Sequence, residues 1–220
     1  MKVLPLSLQA IDQALEILAH GGSVAHATET CYGLACDLTN PKAVKRLFAI
    51  KARPADQPVS ALFSSLEEAK KYVEWSDEAE ELAQKHLPGP LTLILRLRRD
   101  APKLFPTPYT PVLSGVEGLP PTPSLGLRLS SHPVARTLAE RFGKPLSTTS
   151  ANIHGKPSPY SLSDLRRQFH GEDGPDLIID SGELPPTPPS TVIDLSQAGR
   201  KEVKRQGNLS INPERNDIGL

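Results

Sequence analysis

PVARTLAERFGKPLSTTSANIHGKPS, residues 133–158, carries within one passage the two signals that decide the architecture. Pro133 to Phe142 reads as a helix, and residues 145–149 then read as a strand, an apolar run bounded by turn residues. The same exchange recurs outward in both directions. Ser7 followed by Leu8, Ile11, Leu15 and Leu18 and stopped by Gly21-Gly22 predicts a capped amphipathic helix, and residues 23–27 follow as a short strand. Asn40-Pro41 supplies an N-cap and a first-turn proline for a helix running to about Lys51, with Val44, Leu47 and Phe48 on its buried face. Residues 59–63 read as a strand. Ser65 with Glu68 three residues on has the form of a capping box for a helix to about Val73, and a second short helix starts at Ser76. Residues 92–97, 125–129, 176–180 and 191–195 are further expected strands, and residues 163–169 a further helix. Helices and strands intermix along the whole length, which predicts one α/β layered domain with a mixed sheet.

Two segments interrupt this pattern. Residues 101–124 hold seven prolines with Gly115 and Gly118, and residues 184–189 hold four more. Proline fixes φ and donates no hydrogen bond, so both segments are expected to be surface loops, either a plain insertion or a lid.

Bulk composition narrows the function classes. The chain has 220 residues, enough for one sizeable core. Lys plus Arg and Asp plus Glu total 25 each, so the excess positive charge of a dedicated nucleic-acid binder is missing and any basic patch is local. Cys31 and Cys36 stand five apart with only scattered histidines, a pattern of small apolar residues in a reduced compartment rather than a zinc site or disulfide framework. No apolar run reaches the length of a membrane span and the N-terminus lacks the features of a signal peptide, so a cytoplasmic location is expected.

Five clusters could carry chemistry. Ala27-Thr28-Glu29-Thr30-Cys31-Tyr32-Gly33-Leu34 gathers hydroxyls and a carboxylate at a strand end, although a turn alone would explain them. Lys51-Ala52-Arg53-Pro54 sets two cations at a helix end, where complementing the helix dipole is the plain alternative. Arg128 sits within an otherwise apolar strand, and a charge there needs a partner or a ligand. Ser147 to Ser158 is a strand running into a turn dense in hydroxyls and an amide, able to hydrogen-bond phosphate or carboxylate oxygens. Ser190 at a strand start and Arg205 before Gly207 complete the set. The glycine-rich phosphate loops, the nucleophile elbow and the H-E-x-x-H helix are missing, so a nucleoside triphosphate would be neutralised by dispersed Lys and Arg.

In this order the clusters resemble the YrdC-like threonylcarbamoyl-AMP synthase family, whose motifs are P-T-[DE]-T-x-Y-G-L, K-x-R-P, P-G-P-[LV]-T, a strand Arg, S-A-N-x-x-G-x-P-S and S-T-V-[IV]-D. They correspond here to residues 27–34, 51–54, 88–92, Arg128, 150–158 and 190–194. The resemblance covers residues 8–207 and implies a single twisted mixed sheet flanked by helices, residues 1–207 as a YrdC-like domain with a short C-terminal tail at 208–220, and a concave, positively lined face. It implies a nucleotidyltransferase that joins L-threonine, bicarbonate and ATP into threonylcarbamoyl-AMP and pyrophosphate for threonylcarbamoyladenosine modification of tRNA. Magnesium would ride on the phosphates, with no metal ligands assigned in the protein, and downstream threonylcarbamoyl-transfer proteins would be partners. Carried over position by position, Lys51 and Arg53 would hold the triphosphate as catalytic cations. Thr30, Arg128, Thr148 and Ser190 would bind threonine, Arg128 through the carboxylate. Ser150, Asn152, Ser158 and Arg205 would bind ATP, as would Gln57 and Ser124, which match by spacing alone.

Ala27 replaces the family's usual proline, and Ser130 stands where a proline commonly follows the strand arginine. Cys31 and His154 lie inside motifs but read as packing or turn residues. Two rivals use the same fold: a non-catalytic RNA-binding or ribosome-maturation module with weak RNA binding, and the carbamoyl-transfer domain of a hydrogenase-maturation enzyme, which would normally carry zinc-binding cysteines.

Overall fold

The computed structural model describes residues 1–54, 59–101, 112–114, 122–170 and 173–211, with the backbone alone at 112–114 and 122. Its strands are β1 (Lys2–Pro5), β2 (Val24–Ala27), β3 (Tyr32–Ala35), β4 (Ser60–Leu62), β5 (Leu91–Arg96), β6 (Val112–Ser114), β7 (Thr122–Arg128), β8 (Leu146–Ser150), β9 (Leu177–Asp180), β10 (Thr191–Asp194) and β11 (Glu202–Arg205). Its helices are α1 (Leu8–Ala19), α2 (Pro41–Ile50), α3 (Leu66–Ala69), α4 (Asp77–His86), α5 (Pro133–Phe142) and α6 (Leu162–Gln168). All the strands join one sheet in the order β1-β9-β2-β3-β8-β4-β7-β5-β10-β11, with β6 paired to β7. The sheet is mixed: β1, β9 and β2 are mutually parallel, and so are the pairs β4 with β7 and β5 with β10, while the other pairings are antiparallel.

Local signals explain most helix boundaries. Ser7, Asn40, Ser65, Ser76 and Ser161 each accept a backbone N–H from the first turn they precede. Gly143 ends α5 in the left-handed conformation that costs glycine nothing. The expected capping box at Ser65 forms only in half. Ser65 Oγ accepts from Glu68 N (3.1 Å), but the Glu68 carboxylate turns to Ser64 N (3.0 Å) and Ser64 Oγ (2.5 Å). That helix stops at Ala69 instead of Val73, because Val73 leaves it to bridge to Leu97 beside β5. A complete box occurs at Ser161 and Asp164.

Alternation along the strands divides the core. On β9, Leu177 and Ile179 pack with α1 and α5, and Ile178 packs into the other cluster with residues of α2, α3, α4 and α6. Leu62 of β4 and Leu146 of β8 lie on the α1/α5 face, whereas Ala61 faces the larger cluster. The larger cluster brings α2, α3, α4 and α6 onto one face, whereas α1 and α5 cover the opposite face over β1, β9, β2 and β3 and reach only Leu62 of β4 and Leu146 of β8 beyond them. Further along, that second face is open. Burial on both sides is also why β2 and β3 are buried at every position and lack polar alternation.

Within the proline-rich stretch, β6 and the start of β7 are extended strands, so the loop expected at 101–124 is structured in part. Segment 184–189 has no regular secondary structure. Past Gly207, Leu209 remains tied to the domain: its N–H reaches Thr191 Oγ1 (3.1 Å), which donates to Leu209 O (2.7 Å). No helix among the described residues is long and apolar enough to cross a membrane.

Candidate active site

The open part of the second face is a cleft of about 430 Å³. Strand alternation supplies its floor. On β5, Leu91, Leu93 and Leu95 enter the core while Thr92 and Ile94 line the cleft; on β7, Leu125 and Leu127 enter the core while Gly126 and Arg128 line it. Ser60 of β4, Val192 of β10 and Thr148 and Ser150 of β8 extend the same surface. Gly126 is small for a steric reason: a Cβ there would lie 2.5 Å from Ser60 Oγ on the neighbouring strand.

The wall between α2 and β8 is built around Lys51. This residue caps α2, is 3% exposed, and aims its ammonium at Ser150 O (2.5 Å), Asn152 O (2.9 Å) and Asn152 Oδ1 (3.2 Å). An ammonium has three protons, so the turn after β8 engages all of them. His154 N donates back to Lys51 O (2.7 Å), and Asn152 Nδ2 donates to Lys156 O (2.5 Å). Burial, with Arg53 close by, pushes the Lys51 pKa down to about 8. The family resemblance implies a triphosphate role for Lys51. In the structure it lines the cleft as a charge whose hydrogen bonds organise the Ser150–Asn152 turn.

At the opposite wall the strand arginine finds its partner inside the protein. Arg128 Nη2 donates to Glu29 Oε1 (2.7 Å) and Thr30 Oγ1 (3.0 Å), and Nε reaches the same carboxylate oxygen (3.3 Å). The two side chains are 10% and 13% exposed, so this is a nearly buried pair. Ser130 Oγ donates to the other oxygen, Glu29 Oε2. Burial alone would push the Glu29 carboxyl up, but Arg128 and the Ser130 hydroxyl outweigh it and hold the pKa below its ordinary value. Thr30 is fixed in turn by Thr28, whose Oγ1 lies 3.1 Å from Thr30 Oγ1 and donates to Cys31 O (2.7 Å).

The third wall joins three strands. Ser190 Oγ lies 2.9 Å from Thr92 Oγ1, and Arg205 donates from Nε to Ser190 O (3.0 Å) and from Nη2 to Ser190 Oγ (3.1 Å). The glycine after this arginine has a steric role. A Cβ on Gly207 would lie 2.1 Å from Pro189 O and 2.6 Å from Ser190 C, so only glycine lets β11 approach the strand start closely enough to aim Arg205 at Ser190.

Thr30, Lys51, Arg53, Arg128, Thr148, Ser150, Asn152, Ser158, Ser190 and Arg205 thus share one cleft. Gln57 lies outside the described residues. Ser124 lies apart: it follows the pleat of Gly126 and Arg128 but is fully buried, opposite Arg96 of β5 and Val112 of β6, beyond the cleft lining. Cys31 and His154, read from sequence as packing and turn residues, also line the cleft, and burial pushes the Cys31 thiol up, away from nucleophilic use. Thr92 and Glu29 were missed as site residues. The demand of buried Arg128 for a counter-charge was the available signal for Glu29.

Among the described residues, four that line the cleft are cationic, Lys51, Arg53, Arg128 and Arg205, and none is Asp or Glu, in a chain of zero formal charge. Such a cavity attracts anions, and its hydroxyls and amide supply directional donors. Among the described residues no group of His, Cys, Asp and Glu has the makings of a metal site.

The chain is similar in sequence and fold to known proteins. The family model for Sua5, YciO and YrdC, described as "Telomere recombination", matches residues 16–207. The threonylcarbamoyl-AMP synthase of Pyrococcus abyssi is 36% identical over 185 residues, 84% of this chain but 50% of its own length, so the chain spans half of that relative. That of Vibrio cholerae is 36% identical over 192 residues, 80% of this chain and 95% of its own length. The crystal structure of P. abyssi Sua5 complexed with L-threonine superposes with a TM-score of 0.78 at 35% identity, covering 94% of this chain and 56% of that one. With the family model matching residues 16–207 and a relative 36% identical over 95% of its length, the chain belongs to the Sua5/YciO/YrdC family.

Proposed function

We propose that the cleft binds ATP, L-threonine and bicarbonate and forms threonylcarbamoyl-AMP and pyrophosphate, for use in threonylcarbamoyladenosine modification of tRNA. The observation that carries this reading is the convergence of four cations, among the described residues, on one hydroxyl-rich hollow, in a chain similar to enzymes named for this product. The threonine amine attacks the bicarbonate carbon, water leaves, and a carbamate oxygen then attacks the α-phosphorus of ATP as the bond to pyrophosphate breaks. Carbamates decompose quickly in water, so holding the reactants together is the main task, and positioning of this kind contributes up to about 7–11 kcal/mol.

Each wall has a part in this reading. Arg53, Lys51 and Arg205 stabilise the charge that collects on pyrophosphate as it leaves. Ser150, Asn152 and Ser158 direct hydroxyl and amide groups at the nucleotide. Thr30, Thr148, Ser190 and Arg128 hold threonine, the arginine facing its carboxylate. Magnesium would arrive on the triphosphate as part of the substrate, since the described lining residues offer it no carboxylate, and there it would offset phosphate charge. No covalent intermediate is needed. The buried free thiols Cys31 and Cys36 support work in a reducing cytoplasm, and a labile adenylate requires proteins that take it onward to tRNA.

A duplex-RNA reading fits less well, because these cations line a hollow of small-molecule size instead of an exposed stripe. The deciding assay incubates the protein with ATP, magnesium, labelled bicarbonate and L-threonine and looks for threonylcarbamoyl-AMP by mass spectrometry. Its appearance, dependent on all three substrates, is expected; absence of product under these conditions removes the proposal.

A further inference from the structure

Glu29 is not among the cleft-lining residues, yet its carboxylate pairs with Arg128, a cation that lines the cleft. Its Oε1 accepts both Nε and Nη2 of Arg128, and its Oε2 accepts the hydroxyl of Ser130. Arg128 is thereby held from two of its nitrogens, and its Nη2 is shared with Thr30. The carboxylate is itself fixed at both oxygens, by an arginine on β7 and by a serine just past that strand's end. A long flexible guanidinium loses rotamer freedom when it binds a ligand, and a partner that has already frozen it removes that cost.

We infer that Glu29 is a positioning residue for amino-acid binding, acting through Arg128, and that Ser130 is the lock that keeps it in place. Ser130 is the position at which this chain departs from the family's usual proline, which has no hydroxyl to give. The pair does two things at once. It orients the guanidinium toward the cleft, and it offsets part of the arginine's charge, so that a carboxylate is held by geometry more than by raw attraction. This inference rests on the reading of the Arg128 wall as the threonine end of the cleft.

The test is steady-state kinetics of adenylate formation by the wild type, Glu29→Ala, Glu29→Gln and Ser130→Ala, varying L-threonine and ATP in turn. Glu29→Ala is expected to raise the threonine KM about ten- to hundredfold, the size of one charged hydrogen bond, with the ATP KM unchanged. Glu29→Gln keeps an acceptor for Arg128 and is expected to recover part of the loss, and Ser130→Ala to give the same signature at a few-fold. A threonine KM that stays the same or falls overturns the inference, as does a parallel rise in both KM values, which would mark general damage to the cleft. Should Glu29→Ala fail to fold, Glu29→Gln and Ser130→Ala decide on the same criterion. A wild type that makes no adenylate overturns the functional reading instead. Calorimetric titration with L-threonine then decides the inference: binding lost in Glu29→Ala supports it, and equal or no binding in the two proteins overturns it.

Discussion

Lys51 and Arg128 stand on opposite walls of the same cleft and are held by opposite means. Arg128 faces a carboxylate, so much of its charge is cancelled within the protein, whereas Lys51 faces two carbonyls and an amide oxygen, which satisfy its protons and leave its charge in place. Arg205 follows the lysine pattern, donating to a carbonyl and a hydroxyl of Ser190. The difference matches what each wall would have to hold. A triphosphate carries several negative charges and rewards uncompensated cations; a single carboxylate needs an oriented fork more than it needs net charge.

The largest effect by which this contrast could be broken lies at the phosphate wall. Arg53 is only part-buried, so Arg53→Ala should lower ATP-dependent pyrophosphate release by at least about a hundredfold while thermal unfolding stays near that of the wild type. Full activity in that variant would remove the phosphate assignment. A middle-sized effect is expected from Gly207→Ala, where the new methyl group collides with the Pro189–Ser190 backbone. Overpacking of that kind should cost about 1–3 kcal/mol in denaturant unfolding and should raise the KM of both substrates, because Ser190 and Arg205 shift together. Unchanged unfolding and unchanged KM values would mean that β11 can back away freely.

The smallest effect sharpens the comparison through pH. The folded pKa of Lys51, about 8, lies below its ordinary 10.5 because burial, then Arg53, disfavours the charged form. Between those two values the unfolded chain binds more protons than the folded one, so the contribution of this residue to stability rises with pH across that window. Over the same range the cleft loses one cation, and ATP affinity should fall a few-fold between pH 7.5 and pH 9.5. Opposite signs for stability and affinity are the signature, read by unfolding and by calorimetry at the two pH values. Matching signs would show that the Lys51 charge is not the one being titrated.

Much of this molecule was legible before any coordinates. The helix starts at Ser7, Asn40, Ser76 and Pro133 and the apolar strands at 92–97, 125–129 and 176–180 follow from local rules that act within a turn or a pleat. Edge and hidden strands were harder. β1 is too short to stand out and β11 too short and too polar, and Tyr32-Gly33-Leu34-Ala35 reads as a glycine-bearing loop until β2 and β8 are seen on either side of it. Ser65 and Glu68 have the spacing of a capping box, yet a competing serine one residue earlier wins the carboxylate.

For the site, sequence supplied which residues gather but not what each does there. Arg128 advertises a need for a counter-charge, but nothing local says that Glu29, 99 residues away, meets it. In the same way nothing local says that the carbonyl of Ser150, also 99 residues distant, holds the Lys51 ammonium. Ser124 shows the reverse failure. Its spacing from Arg128 puts it on the correct face of β7, but position along the strand, not face alone, decides whether a residue reaches the cleft.

The strand that delivers Arg205 has a bearing on synthesis. Translation runs from the N-terminus, and the early strand β2 waits for β9 at 177–180, while β5 waits for β10 at 191–194 and the last wall waits for β11 at 202–205. A nascent chain therefore exposes unpaired strand edges until residues 177–205 have emerged. With the cleft read as a nucleotide site, as proposed above, nucleotide cannot reward folding until β11 has emerged, so it would stabilise the completed domain and offer no help to an unfinished one.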